Sequence, residues 1–215
     1  NLVLAGGVAL NCVANGKLQQ KNIFDDIWIQ PAAGDAGGAL GAALLVSHEY
    51  FNVSRVKNTS NRDSQKGSYL GVQYSTSEVK AYLDRNNYPY ECIVDKAKLS
   101  STIADVLASG KIVGYMSGRM EFGPRSLGAR SILGDPRNKK MQSVMNLKIK
   151  HRESFRPFAP SVLQEDAGNY FDINCESPYM LLVAPVKKDR CNVLDTSNHS
   201  NNEDMLKIIN QVRSD

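Results

Sequence analysis

A run of arginines broken by glycine and proline fills the middle of the chain and limits how it can fold. Ile112 to Met116 is apolar and reads as a strand. The next residues, Ser117 to Ser131, hold Arg119, Arg125 and Arg130 among Gly118, Gly123, Pro124 and Gly128. Glycine and proline at this density rule out a helix and force turns, so the arginines must sit on a folded-back loop. A strand near Ala129–Leu133 and a helix over about Asn138–Lys148 follow, the helix burying Met141, Val144 and Met145. From Lys111 to Arg156 there are eleven Lys and Arg and three acids, a net charge of +8, whereas the remaining residues of the +4 chain sum to −4. Cations gathered in this way repel one another unless an anion sits among them.

The composition of the whole chain is that of an ordinary globular protein: 42% is apolar and 22% charged. No apolar run approaches the roughly 20 residues that span a bilayer, and there is no signal-like start, so no membrane role is expected. Cys12, Cys92, Cys175 and Cys191 are far apart with no Cys-x-x-Cys pair, which fits free thiols in a reducing cytoplasm rather than a zinc ribbon or redox motif. Aromatic content is only 7% and the basic run is interrupted, which argues against a nucleic-acid surface.

Leu2 to Ala5 reads as a buried strand, Gly6-Gly7 as a turn, and Val8, Leu10, Val13, Ala14 and Leu18 as the apolar face of a helix carrying Asn11. Ile27 to Ile29 is a second strand, after which Pro31 to Leu45 forms a Gly- and Ala-rich helix with Asp35 at its N-cap. This order predicts a β-α-β-α piece of a larger α/β domain over residues 1–51. A chain that opens on a strand is expected to be part of a longer protein. Residues 52–67 are polar and aperiodic and read as a linker. Ser75 and Glu78 form a capping box, Asp95 caps a second helix, and Gly110 stops it. Strands are expected at Tyr90–Val94, Phe158–Leu163 and Met180–Ala184, a mobile loop at Asn198–Asn202, and a helical stretch at Met205–Val212. The fold class is therefore α/β to α+β, with a second domain over residues 68–215.

Arginine suits anions because its planar fork binds two oxygens at once. Arg119, Arg125, Arg130, Arg137, Lys150, Arg152 and Arg156 are candidates for phosphate or carboxylate contacts, and Lys139 and Lys140 read as solvated charges. The glycines and Pro124 would allow several guanidinium groups to aim at one point. Glu121 among them is either a counter-ion or a base. The Gly6-Gly7 turn either packs tightly or offers free N–H groups to a phosphate or ribose. His48, His151 and His199 are isolated, so no histidine pair is spaced for a metal.

Three blocks carry a resemblance to a known family: Gly6 to Cys12; Pro31 to Ala42; and Gly118 to Leu133, continued by Asn146 to Pro160. Together they resemble the NodU/CmcH-type carbamoyltransferases. The resemblance implies the tail of an actin-like ATPase (TsaD-like) domain in residues 1–51 and a YrdC-like twisted mixed sheet with helices in 68–215. It implies an ATP-dependent enzyme that makes carbamoyl-adenylate from carbamoyl phosphate and ATP. The carbamoyl group then passes to a hydroxyl of a small molecule or glycan. Gly6, Gly7 and Asn11 match a nucleoside-binding segment, and Asp35 matches a ligand of a catalytic iron or other divalent metal. The metal's other ligands belong to a part absent from this sequence. Lys150 and Arg152 are similar to a phosphate-holding Lys-x-Arg pair. Arg119, Arg125 and Arg130 would surround carbamoyl phosphate, and Ser131, Asn146 and Arg156 would complete the binding set, with Mg²⁺ accompanying ATP. Uncovered strand edges would permit a homodimer. Two other readings stay open at this point: an RNA- or tRNA-binding YrdC-like module, and a plain interaction domain.

Overall fold

A computed structural model describes residues 1–56 and 63–191 of the chain. The middle of the expected linker (57–62), the expected loop at 198–202 and the expected helical stretch at 205–212 lie outside the described residues.

The chain is mixed α and β, with two small two-stranded sheets. Strand β1 (Leu2–Leu4) pairs in parallel with β2 (Ile27–Ile29), Leu2 opposite Ile27 and Leu4 opposite Ile29. Parallel strands need a crossover, and helix α1 (Cys12–Gln20) supplies it, entered through a 3₁₀ turn over Gly7–Leu10. Helix α2 (Asp35–Leu45) follows and runs on through a π-helical turn over Val46–Tyr50. The β-α-β-α order is the one the sequence predicts.

The inward face of α1 is not the predicted apolar one. Val8 and Val13 are exposed, and the buried residues are Asn15 and Gly16. The cause is a backbone approach. A Cβ on Gly16 would lie 2.1 Å from the Val183 carbonyl oxygen, a distance no side chain can occupy. Asn15 uses the same contact, its Nδ2 donating to the carbonyls of Ala9 at 2.8 Å and Leu181 at 3.0 Å. The segment Met180–Ala184 therefore runs beside a helix rather than another strand, and the strand expected there does not form. Phe158–Leu163 is also irregular, flanked and interrupted by Pro157 and Pro160, which donate no backbone hydrogen bond. Tyr90–Val94 is irregular as well. The described pairing of this part of the chain is an isolated antiparallel bridge between Phe171 and Val186.

Helix α3 (Thr76–Arg85) opens on the predicted capping box. Ser75 Oγ accepts from the Glu78 N–H at 3.2 Å, and Glu78 accepts from the Ser75 N–H at 2.7 Å. Helix α4 (Lys96–Ala108) is capped by Asp95, whose Oδ1 accepts from Ala97 and Lys98. It closes in a Schellman arrangement at Gly110, with Gly110 N–H on Leu107 and Lys111 N–H on Val106. Strands β3 (Val113–Met116) and β4 (Arg130–Leu133) form the second sheet. The helix expected at about 138–148 is realised as α5 (Met141–Val144) continued by a π-helical turn over Met145–Ile149. A short helix, α6, spans Ala167–Tyr170.

Contacts divide the chain into two units. The first gathers Asn1–Cys92, Tyr115–Ser131 and Cys175–Ala184, and its buried residues include Ala9, Ala32, Ala33, Ala129 and Leu181. The second gathers Ile93–Gly114, Ile132–Asn174 and the described residues from Pro185 to Cys191, and it buries Met141, Met145 and Asn146.

Candidate anion-binding loop

In the first unit, residues 117–131 form a loop built around one buried carboxylate. The Glu121 side chain is fully buried, and its Oε1 accepts from the N–H groups of Leu127 at 2.7 Å, Ala129 at 2.8 Å and Arg130 at 3.2 Å. Burial alone would push this carboxyl up. The backbone N–H groups outweigh burial and hold it below the usual carboxylate range. The base of the loop is closed by Ser117 N–H on the Ala129 carbonyl at 2.8 Å, and beside it Ser131 Oγ accepts from the Gly128 N–H at 3.1 Å. Ser131, predicted to bind ligand, thus has a described role in shaping the loop. Residues 71–72 run alongside Met120, giving Gly71 N–H on the Met120 carbonyl and Met120 N–H on the Val72 carbonyl, both at 2.9 Å.

The three arginines are fixed by carbonyl oxygens. Arg119 donates to Gly71 at 3.1 Å, Arg125 to Leu10 at 2.9 Å and Arg130 to Gly123 at 3.4 Å. Arg130 Nε also lies 3.3 Å from Glu121 Oε2, close enough for an ion pair but misaligned for a hydrogen bond. Glu121 Oε2, Arg125 Nε and Arg130 Nε are consequently buried without hydrogen-bond partners among the described residues. Two guanidinium groups against one carboxylate leave a surplus positive charge, and the unspent N–H donors suit an oxyanion.

The loop joins the other two sequence blocks. Arg125 reaches the 3₁₀ turn that follows Gly6-Gly7, and Gly123 meets the segment before α2. Gly123 has φ of +120°, and a Cβ there would come within 3.0 Å of the Ala32 Cβ, so both backbone conformation and packing demand glycine. Gly6 and Gly7 face open space, where an added Cβ would touch nothing within 4 Å. Asn11 is the N-cap of α1, its Oδ1 accepting from the Ala14 N–H at 3.1 Å, rather than a residue one turn into the helix. Its amide nitrogen makes no described protein contact.

Beside the loop lies a groove of about 380 Å³, walled by Tyr69, Tyr115 and Arg119 and floored by Gly118, Gly128 and Ala129. Tyr69 is held there by its hydroxyl, which donates to the Leu127 carbonyl at 2.6 Å. The two phenol rings offer stacking faces, and Arg119 supplies positive charge. A larger cavity in the same unit, about 550 Å³, is lined by residues including Trp28, Asp63, Cys175 and Tyr179. None of the sequence-predicted site residues lines it. There the Tyr179 hydroxyl donates to Asp63, while burial first and this hydrogen bond second push the phenol up.

Lys150, Arg152, Arg156 and Asn146 belong to the second unit. Asn146 is fully buried and its amide is spent: Nδ2 donates to the carbonyls of Ser154 at 3.1 Å and Arg156 at 2.8 Å, and Oδ1 accepts from Arg152 Nε at 2.7 Å. Asn146, predicted to bind ligand, thus has a described role as a strut that aims Arg152. Arg152 also lies over the Phe158 ring, 5.1 Å from its centroid. Arg156 Nε is paired with Glu153 at 2.8 Å, and Lys150 is exposed. Arg137 pairs with Asp135 at 2.7 Å and serves as its partner rather than as a free anion site.

Asp35 is the first helical residue of α2. The cap position belongs to Gly34, so the predicted capping role is corrected. Its carboxylate is exposed in the first turn, where the helix dipole favours it. Among the described residues no three His, Cys, Asp or Glu side chains come together to hold a metal ion. Asp35 alone does not make a metal site, and no chemistry is assigned through one.

Two family models match the sequence. One described as carbamoyltransferase N-terminus matches residues 1–44, and one described as carbamoyltransferase C-terminus matches 104–214, more than half of the chain. An uncharacterized protein of Synechocystis is 56% identical over 193 residues, 88% of this chain and 31% of that protein. Nodulation protein NolO of Bradyrhizobium diazoefficiens is 41% identical over 98% of this chain and 38% of its own length. Nodulation protein U of Rhizobium fredii is 35% identical over 84% of this chain and 28% of its own length. The chain thus spans about a third of the length of the curated relatives it matches.

Proposed function

This chain belongs to the carbamoyltransferase family, and we propose that it carries the part of a carbamoyltransferase that grips the carbamoyl donor. The observation that carries this reading is the loop 117–131, where the buried Nε–H groups of Arg125 and Arg130 donate no hydrogen bond and Arg125 ties the loop to the Leu10 carbonyl in the turn at Gly7–Leu10. Carbamoyl phosphate presents the oxyanion such a loop fits. Arg119, Arg125 and Arg130 hold its phosphate, and the open Gly6-Gly7 turn with the Asn11 amide meets the nucleoside of ATP. Lys150 and Arg152, the latter aimed by Asn146, hold a phosphate in the second unit.

The reaction proceeds in balanced steps. Carbamoyl phosphate and water give carbamate and inorganic phosphate. A carbamate oxygen attacks the α-phosphorus of ATP, and the bond to pyrophosphate breaks. The acceptor hydroxyl oxygen then attacks the carbamoyl carbon, AMP leaves, and the hydroxyl proton passes to a base. Fixed guanidinium groups stabilise the charge that grows on the phosphate oxygens, and Mg²⁺ bound to ATP would neutralise it further. A site that limits water also protects the labile donor.

Calorimetry tests the reading. The chain is expected to bind carbamoyl phosphate, and Arg125→Ala to weaken that binding by about ten- to a hundredfold, the worth of a charge-assisted hydrogen bond. Equal binding by the two proteins, or no binding by either, rejects it.

A further inference from the structure

The Glu121 carboxylate sits inside the cation cluster that would hold an anion, and simple charge counting makes it an obstacle. A negative group beside Arg125 and Arg130 lowers the potential felt by an incoming phosphate. Its geometry says otherwise. One oxygen gathers three consecutive-region N–H groups, those of Leu127, Ala129 and Arg130, and so sets the path of the whole return limb of the loop. The other oxygen lies 3.3 Å from Arg130 Nε without a hydrogen bond, although both atoms are buried. Arg130 itself is 38% exposed at its side chain, so its guanidinium is anchored at one edge and accessible at another. Its second anchor, the Gly123 carbonyl, is in the limb that also positions Arg125.

We propose that Glu121 is a positioning residue for anion binding. It fixes the return limb of the loop through Oε1 and steers the Arg130 guanidinium through Oε2, so that the cluster is formed before the ligand arrives. The inference rests on the reading that this loop holds a phosphate-bearing donor. It adds which residue makes the loop competent, and it predicts an effect opposite in sign to charge counting. If Glu121 were only a counter-ion, removing its charge would tighten anion binding. If it positions Arg130, removing its charge weakens binding even though the site becomes more positive.

The test measures carbamoyl phosphate and inorganic phosphate binding calorimetrically for the wild-type chain, Glu121→Gln and Arg130→Lys, with circular dichroism to verify folding. Wild-type binding together with a loss of about tenfold or more in both variants supports the proposal. Wild-type binding with equal or tighter binding by Glu121→Gln overturns it while leaving the donor reading intact. No binding by the wild type removes the donor reading and the proposal with it. Should Glu121→Gln fail to fold, the wild type supplies the answer by nitrogen-15 NMR of arginine side chains. The Arg130 Nε–H signal, identified by its loss in Arg130→Lys, is expected to be slow to exchange with water before ligand is added and to shift when carbamoyl phosphate is added. A signal that exchanges rapidly in the free protein, or that does not move, overturns the proposal.

Discussion

Arg125, Glu121 and Gly16 show how much a single position can decide. Arg125 spends one nitrogen on the Leu10 carbonyl, while its buried Nε makes no hydrogen bond among the described residues. The sequence marks it as a cation among glycines, but it cannot announce the carbonyl 115 residues away that orients it. Asn146 teaches the reverse. Its place in a basic block suggests a ligand contact, and only the fold reveals that three partners already occupy its amide. By intrinsic propensity a glycine at position 16 weakens a helix. In the fold it is the point where Val183 crosses the helix backbone. Gly16→Ala is therefore expected to destabilise the first unit by roughly 1–3 kcal/mol, the usual cost of overpacking, rather than to stabilise it as helix propensity alone would suggest. Thermal melts decide the sign, and a rise in melting temperature would contradict the contact.

At the scale of elements, local signals were read correctly where local chemistry settles the outcome. The Ser75–Glu78 box, the Asp95 cap and the Gly110 stop each depend on residues within a few positions, and all three are present. Strands were legible where a partner existed. The pairing of Leu2–Leu4 with Ile27–Ile29 formed, whereas Met180–Ala184 met a helix instead, a long-range event that no periodicity encodes. Residues 117–131 are legible as a folded-back loop and Glu121 as a counter-ion among its arginines, but the hold of Glu121 on the loop backbone is not, because the three N–H groups it gathers lie six to nine residues ahead. That arrangement has a pH signature. The Glu121 carboxyl is lower in the folded chain than in the unfolded one, so its stabilisation is fully present above the unfolded value of about 4.3 and is lost as pH falls through the folded value. The wild type should lose stability relative to Glu121→Gln on acidification below about pH 4. Parallel stability profiles for the two proteins would show that the carboxylate is not held in this way.

For the molecule as a whole, the three sequence blocks that resemble carbamoyltransferases acquire a shared physical meaning. Residues after Gly6-Gly7, the segment at Ala32 and the arginine loop are in contact within one unit, joined by Arg125 on Leu10 and by Gly123 on Ala32. From the sequence, the first two blocks and the third are expected in different domains. The contacts put the start of the chain and the arginine loop in the same unit, while Lys150 and Arg152 are built separately around Asn146 in the other. No helix among the described residues is long and apolar enough to cross a membrane. The measurement that bears most directly on the donor-binding role is a crystal structure of the chain with carbamoyl phosphate and a non-hydrolysable ATP analogue. Donor phosphate oxygens are expected to be bonded to Arg125 and Arg130 in the 117–131 loop. Donor bound instead in the larger cavity beside Tyr179, with the loop arginines still tied only to carbonyl oxygens, would contradict it.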